Sequence, residues 1–437
     1  MEAEAGEAVG RMNLPVNSDY WSYRGGELYC EDVALSRIAE RFGTPTYVYS
    51  RGHLEGKFKE VERAWRGRRH LVCFSLKSNS SLAVAAVLAR LGAGVDVVSG
   101  GELYRALKAG FPAAKTVFAG VGKTSREIRE ALKAGILFFT VESFSELEEI
   151  DGIAGKMGAQ APVAFRVTPD VDPKTHRYIT TGKAENKFGF DLEHAREVYL
   201  SCRRLGAVKP VGIQMHIGSQ IRSAGPYVEA VEKLAALVRG LKREGVGIRY
   251  LDIGGGMGIS YGGEEVPAMV EYAEALRPVL AGLPVSIVLE PGRYLTGNCG
   301  CLLAKVLHLK RKAKKNFAVI DAGMNDLIRP ALYNAEHAIV PVSEKTAPAV
   351  KVDVVGPICE TGDTMGKDRM FPEPAPGDLV AVLSAGAYGF VMASTYNSRP
   401  RPAEVMVHGG ECELVRRRET YRDLVKGEKI PSFSEKE

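Results

Sequence analysis

The sequence predicts an α/β protein: a (β/α)8 TIM barrel with a second, mainly antiparallel β domain. Three observations predict it. From Thr46 to about Leu302, eight short β-branched or apolar runs alternate with amphipathic helical patterns. Those eight βα periods occupy roughly 250 residues, the usual span of a closed barrel. Beyond residue 303 the texture changes to β-rich runs separated by Gly and Pro turns. The expected boundaries are 1–45 for an N-terminal tail and a strand joining the β domain, 46–302 for the barrel, and 303–437 for the C-terminal β domain.

The eight runs, in order, are LVCFSL (71–76), GVDVVS (94–99), TVFAG (116–120), FFTVES (138–143), VAFRVT (163–168), GIQMHI (212–217), YLDIGG (250–255) and SIVLEP (286–291). Between them lie segments such as SLAVAAVLARLG, GELYRALKAG, SREIREALKAG and YVEAVEKLAALVRGLKREG. Their apolar residues recur at three and four, and most close on Gly, which ends a helix readily. FAVIDAG, AVKVDVVG, DLVAVLSAG and AEVMVHGG supply strands of the second domain, and ELYCEDVAL is a further strand candidate. The segment 174–190, KTHRYITTGKAENKFGF, has the length and the Lys, Thr and Gly content of a closing lid.

At 437 residues the chain exceeds the size at which one core stops growing. Its 58 Lys and Arg against 53 Asp and Glu leave a net charge of +5, dispersed apart from clusters such as LKRKAKK (309–315). These read as solvated faces rather than a nucleic-acid surface. Seven scattered cysteines without a CxxC pair argue for a reducing compartment and against a zinc site. The acidic start MEAEAGEAVG lacks an apolar signal core, and no apolar run is long enough to span a bilayer, so the expected location is cytoplasmic. Residues 1–12 and 426–437 read as frayed tails.

In a TIM barrel the chemistry belongs at the C-terminal strand ends, and unusual polar residues collect there. Lys77 follows the first run directly, Ser99 closes the second with Glu102 just after it, the fifth carries Arg166, and the sixth carries His216 with Ser219 just after it. GGGMG (254–258) and EPGR (290–293) follow the seventh and eighth. A lysine at that place is either a structural ion pair with Asp96 or Glu102, or a Schiff-base nucleophile. LDIGGGMG does not meet the dinucleotide-binding pattern; its glycines form a tight turn or a backbone phosphate cradle. Glu290 either bridges Arg293 or keeps a pyridine nitrogen protonated, and His216 is either a core histidine or a ring-stacking one.

One stretch of the second domain, VGPICETGD (355–363), sets Cys359 beside Glu360 between two turns. From the residues alone this thiol is a nucleophile, a metal ligand, a proton donor or an inert turn cysteine.

Taken together, FSLKSN, DVVSGGE, QMHIGSQ, DIGGGMG, EPGR and PICETGD resemble the pyridoxal-phosphate-dependent decarboxylases of fold type III, the alanine racemase-like barrel group. Within that group the sequence is most similar to the diaminopimelate decarboxylases. The likeness covers nearly the whole chain in order, including RPALYNAEH (329–337) and YNSRPRPAEV (396–405). It implies that Lys77 carries pyridoxal 5'-phosphate, that His216 stacks on the ring and that Glu290 pairs with its nitrogen. It implies that Ser219, Gly255, Gly256, Gly292, Arg293 and Tyr388 hold the phosphate, with Asp96, Glu102 and Arg166 as support. Arg293, Arg329, Tyr333, Glu360 and Tyr388 are the implied substrate contacts, and Cys359 the implied proton donor. The implied substrate is meso-diaminopimelate, cut to L-lysine and carbon dioxide by a homodimer that shares its active sites. Serines 75 and 78 depart from the family's usual alanines beside the lysine. Decarboxylation of ornithine or arginine, racemisation, and a catalytically dead regulatory homologue are the competing readings. Asp after the cysteine would mark the first, Arg at the pyridine nitrogen the second, and loss of Lys77 or Cys359 the third.

Overall fold

The computed structural model describes Leu14 and residues 19–172 and 187–435. Of the lid candidate 174–190, residues 174–186 lie outside the described residues, as do residues 1–12. The chain divides into two compact units, one of residues 51–299 and 386–391, the other of residues 1–50, 300–385 and 392–437.

The first unit is a closed parallel barrel whose strands are β1 His70–Ser75, β2 Gly94–Val97, β3 Thr116–Phe118, β4 Phe138–Val141, β5 Ala161–Thr168, β6 Val208–Gln214, β7 Tyr250–Asp252 and β8 Ser286–Leu289. Each pairs in parallel with the next, and β8 returns to β1 through Ile287–His70 and Val288–Leu71. All eight predicted runs are strands of this barrel. Their near-continuous apolar character follows from burial on both faces, by side chains inside and helices outside. Cys73, Val117, Phe138, Ala164, Val211 and Val288 pack into one buried cluster contributed by six strands.

Outer helices are α1 Arg51–Ala64, α2 Leu82–Arg90, α3 Gly100–Ala109, α4 Ser125–Ala134, α5 Phe144–Lys156, α6 Leu192–Ser201, α7 Gly225–Arg243 and α8 Met269–Leu280. Three of them start on the same local device. Ser99, Thr124 and Ser143 accept from the backbone N–H of Glu102, Glu127 and Glu146, three residues on. Gly110 and Gly135 then end α3 and α4 in the left-handed conformation. The ring departs from a simple βα count, because β8 is followed only by the four-residue helix Arg293–Thr296 before the chain enters the strand Gly300–Arg311. The eighth outer position is taken by α1, which precedes β1 and packs against both α8 and α2. It buries Leu54, Phe58 and Val61, each worth about 1.5–3 kcal/mol when fully withdrawn from water.

In the second unit a mixed, mainly antiparallel sheet runs in the order 364–372, 349–355, 316–320, 300–311, 46–50, 403–408, 411–416, with 379–382 and 339–341 paired beside it. Thr46–Ser50 lies antiparallel to Gly300–Arg311 and parallel to Ala403–His408. Glu27–Cys30 is a strand, as ELYCEDVAL suggested, but it pairs in its own three-stranded meander with Trp21–Arg24 and Val33–Ala34. Its Leu28 and Cys30 reach the core formed by Val48, Leu303, Ala381 and Val405, and it also meets the chain after 339–341 through backbone bonds, Leu28 N–H to the Val342 carbonyl and Glu344 N–H to the Gly26 carbonyl, each at 2.7 Å. Among the described residues no helix is long and apolar enough to cross a membrane.

Candidate active site

The chemistry of the barrel unit gathers where its strands end. Lys77 lies in the one-turn helix Leu76–Ser78 directly after β1, and its Nζ donates to Asp96 Oδ2 at 2.7 Å. Asp96, on β2, is fully buried and takes a second bond from Ser75 Oγ at 2.7 Å. Its Oδ1 has no hydrogen-bond partner. Burial works against charge on Lys77, but Asp96 and Glu290 outweigh it and hold the ammonium above its ordinary pKa. The sequence left an ion pair and a nucleophile open as alternatives; the pair with Asp96 is present. Ser75, one of the two departures from the family's alanines, is the second donor on that carboxylate. Glu102, at the first turn of α3, accepts from Val98 N–H at 2.8 Å, and burial pushes its carboxyl up to about 7.

Beside the lysine lies a carboxyl pair. Glu290, directly after β8, is 4% exposed, and Asp252, at the end of β7, is fully buried. Gln214 Nε2 donates to Glu290 Oε2 at 3.3 Å, and Asp252 Oδ1 accepts from Gly254 N–H at 2.9 Å. Burial first, then the negative charge of Asp252 and Asp96, pushes the Glu290 carboxyl well above its ordinary value. Two like charges this deep cannot both persist, so a proton stays on the pair at neutral pH. Glu290 therefore bridges Asp252 and Gln214 rather than Arg293.

Around GGGMG the backbone leaves no room for side chains. A Cβ on Gly255 would come within 2.0 Å of the Glu290 carbonyl oxygen, and one on Gly256 within 2.1 Å of that of Gly218. Gly256 also sits at φ +101°, a region open mainly to glycine. Arg293, 6% exposed at the start of the short helix after β8, donates from one guanidinium nitrogen to Ser219 Oγ at 2.9 Å and from the other to Tyr261 Oη at 2.5 Å. Its guanidinium lies 4.9 Å from the centre of the Tyr388 ring. Tyr388 is held by its backbone N–H on the Ser78 carbonyl at 2.7 Å, and Gly292 packs on Ser75 and Ser78. Cation, hydroxyls and Cβ-free backbone together suit an oxyanion.

Arg166, on β5, pairs with Glu142 at 3.0 Å, and both are buried. His216 follows β6, and Gly255 N–H donates to its Nδ1 at 3.4 Å. Burial, with Arg166 and Lys77 nearby, holds the imidazole well below its ordinary pKa, so it is neutral with its Nδ1 an acceptor.

The other unit carries the remaining sequence-predicted residues. Arg329 opens the helix Arg329–Tyr333, is 5% exposed, and donates to His337 Nε2 at 3.3 Å, with its guanidinium 5.9 Å from the Tyr333 ring. Cys359 and Glu360 are exposed. Buried Asp363 fixes their loop by accepting from Met324 N–H at 2.6 Å and Ile358 N–H at 2.7 Å.

Sequence reasoning missed Asp252, Gln214 and Tyr261. The first two stand inside quoted runs, and a carboxylate or amide at a strand end was the signal available for both. Nothing local marks Tyr261. Among the described residues no group of three or more His, Cys, Asp or Glu is arranged to hold a metal ion.

Residues 51–297 match the family described as pyridoxal-dependent decarboxylase, pyridoxal binding domain. The chain is 52% identical to the diaminopimelate decarboxylase of Pseudomonas aeruginosa, over 94% of this chain and 99% of that one. Its structure is similar to diaminopimelate decarboxylase from Helicobacter pylori complexed with L-lysine, with TM-score 0.87 and 42% identity over 90% of this chain and 98% of that one. It is likewise similar to the M. jannaschii enzyme in complex with L-lysine, with TM-score 0.91 and 37% identity over 95% of this chain and 99% of that one.

Proposed function

From the premise that this chain belongs to the pyridoxal-dependent decarboxylases, in their diaminopimelate decarboxylase branch, we propose how its own residues remove carbon dioxide from meso-diaminopimelate and release L-lysine. The observation that carries the reading is the set of Lys77, Asp96, Glu290 and the Gly255–Gly256 turn at one end of the barrel. These residues fit pyridoxal 5'-phosphate. The unpartnered Oδ1 of buried Asp96 calls for a polar ligand, and the glycine turn with Arg293 and Ser219 suits its phosphate.

When bound, the cofactor supplies the electron sink for the pair that departing carbon dioxide leaves behind. Lys77 Nζ would be its attachment point, with Asp96, Glu102 and Arg166 bracing the surroundings. Ser219, the backbone at Gly255, Gly256 and Gly292, Arg293 and Tyr388 take the phosphate. Glu290 would keep the ring nitrogen protonated, and neutral His216 would lie against the ring without adding charge. Cys359 Sγ gives a proton to the carbon that has lost its carboxylate. Glu360 binds the substrate's distal ammonium, while Arg293 and Arg329 bind its distal carboxylate, with Tyr333 and Tyr388 beside them. The working form is a cytoplasmic homodimer in which the Cys359–Glu360 loop of one subunit completes the site of its partner.

Carbon dioxide release by the cofactor-loaded protein, with meso-diaminopimelate, ornithine, arginine and lysine side by side, tests the pocket. Each charge-assisted hydrogen bond contributes about 1.5–3 kcal/mol, so discrimination against ornithine is expected on the order of several hundredfold or more. Comparable release from ornithine would remove Glu360 and the arginines from substrate recognition. In the same assay, dilution past subunit dissociation abolishes turnover, and full activity from monomers would sink the shared site.

A further inference from the structure

Residues 394–399 of the second unit form a turn whose conformation is uncommon for its side chains. Asn397 sits at φ 54°, ψ 29° and Ser398 at φ 52°, two consecutive non-glycine residues in the left-handed region. The turn is anchored at both sides: Ser394 N–H donates to the Asn325 carbonyl at 2.8 Å, and the Arg399 guanidinium to the Asp321 carbonyl at 3.4 Å. Strain of this kind persists only where neighbouring contacts over-determine it. Here the two side chains at the tip both reach the exposed Cys359–Glu360 dipeptide. Tyr396 Oη donates to Glu360 Oε1 at 2.5 Å, and Asn397 Oδ1 accepts from Cys359 N–H at 3.0 Å.

The same loop is also held by Asp363, whose carboxylate takes the N–H groups of Met324 and Ile358. The dipeptide is thus fixed by two sets of bonds, those of Asp363 and those of the 396–397 turn. An exposed glutamate has many rotamers, and a single phenol that bonds one oxygen selects among them while leaving the other oxygen available. We propose that Tyr396 is a specificity-determining residue, which aims the Glu360 carboxylate at the substrate's distal ammonium, and that Asn397 is a positioning residue for Cys359. This rests on the substrate role given to Glu360 and the proton-donor role given to Cys359.

The two side chains act on different kinetic quantities. Without its hydroxyl, Tyr396→Phe should raise KM for meso-diaminopimelate roughly five- to tenfold with kcat within about twofold, the scale of one solvent-exposed intramolecular hydrogen bond. Asn397→Gly keeps the left-handed backbone but loses the acceptor for Cys359 N–H, so kcat should fall several-fold at little change in KM, and Asn397→Asp should restore it. The cycle with Glu360→Gln separates this proposal from the reading beneath it. If Glu360→Gln raises KM and Tyr396→Phe adds nothing in that background, Tyr396 acts through Glu360 as stated. If Glu360→Gln raises KM and Tyr396→Phe does not, or the two effects simply multiply, the proposal falls while the role of Glu360 stands. If Glu360→Gln itself leaves KM unchanged, both fall. A kcat for Asn397→Gly equal to the parent's overturns the positioning role of Asn397.

Discussion

Glu290 and Glu360 are the same side chain in two opposite settings, one in each unit. Glu290 is 4% exposed, among Asp252, Asp96 and Gln214, in a place where the medium itself decides its protonation. Glu360 is exposed on a loop, where water solvates the charge and only hydrogen bonds from neighbouring turns decide where it points. A buried carboxyl is thus controlled through its proton, and an exposed one through its rotamer. In the proposed function the barrel end does chemistry on a bound group and the loop recognises a mobile one.

Substitutions that separate binding of the cofactor from protonation of the product give the largest effects. Lys77→Ala should lower turnover by on the order of a thousandfold or more and remove the visible absorbance of the lysine-bound cofactor. Retention of that absorbance would show that Lys77 is only the ion-pair partner of Asp96. Cys359→Ala should reduce turnover by about 10²–10⁴-fold, the range for a lost acid catalyst, while the same absorbance stays unchanged. Loss of the cofactor signal in that variant would mean the thiol shapes the barrel site rather than moving a proton.

The smallest expected effect is on stability, and it asks whether burial governs protonation outside the barrel as well. Asp326, 1% exposed in the second unit, is pushed up to about 7, first by burial and then by Asp321 and Asp363, against the pull of Gly323 N–H and Arg399. A carboxyl with a raised folded-state pKa is accommodated fully while protonated, below its ordinary value. That contribution is lost as pH rises through about 7. Asp326→Asn is neutral throughout, so its melting temperature relative to the parent should rise by about 2–4 °C between about pH 5 and about pH 8. A difference that does not move with pH would show that Asp326 is solvated despite its burial.

Much of the site was legible because a barrel converts sequence order into place. Lys77, Asp96, His216 and Glu290 each stand on or just after a strand, and the C-terminal end of every strand opens on the same side. Nothing local marks the bond between Tyr396 and Glu360, 36 residues apart, or the place of α1 in the outer ring.

By itself the sequence determined the eight barrel strands, most of the helices between them and the residue types waiting at the strand ends, because periodicity and capping act over a few residues. Tertiary structure alone decided that Asp252 and Gln214 share the burial of Glu290, that Thr46–Ser50 pairs with Gly300–Arg311, and that Tyr396 and Asn397 hold the Cys359 loop. Desolvation and hydrogen bonds between distant segments exist only once the chain has closed on itself, so no window of the sequence contains them.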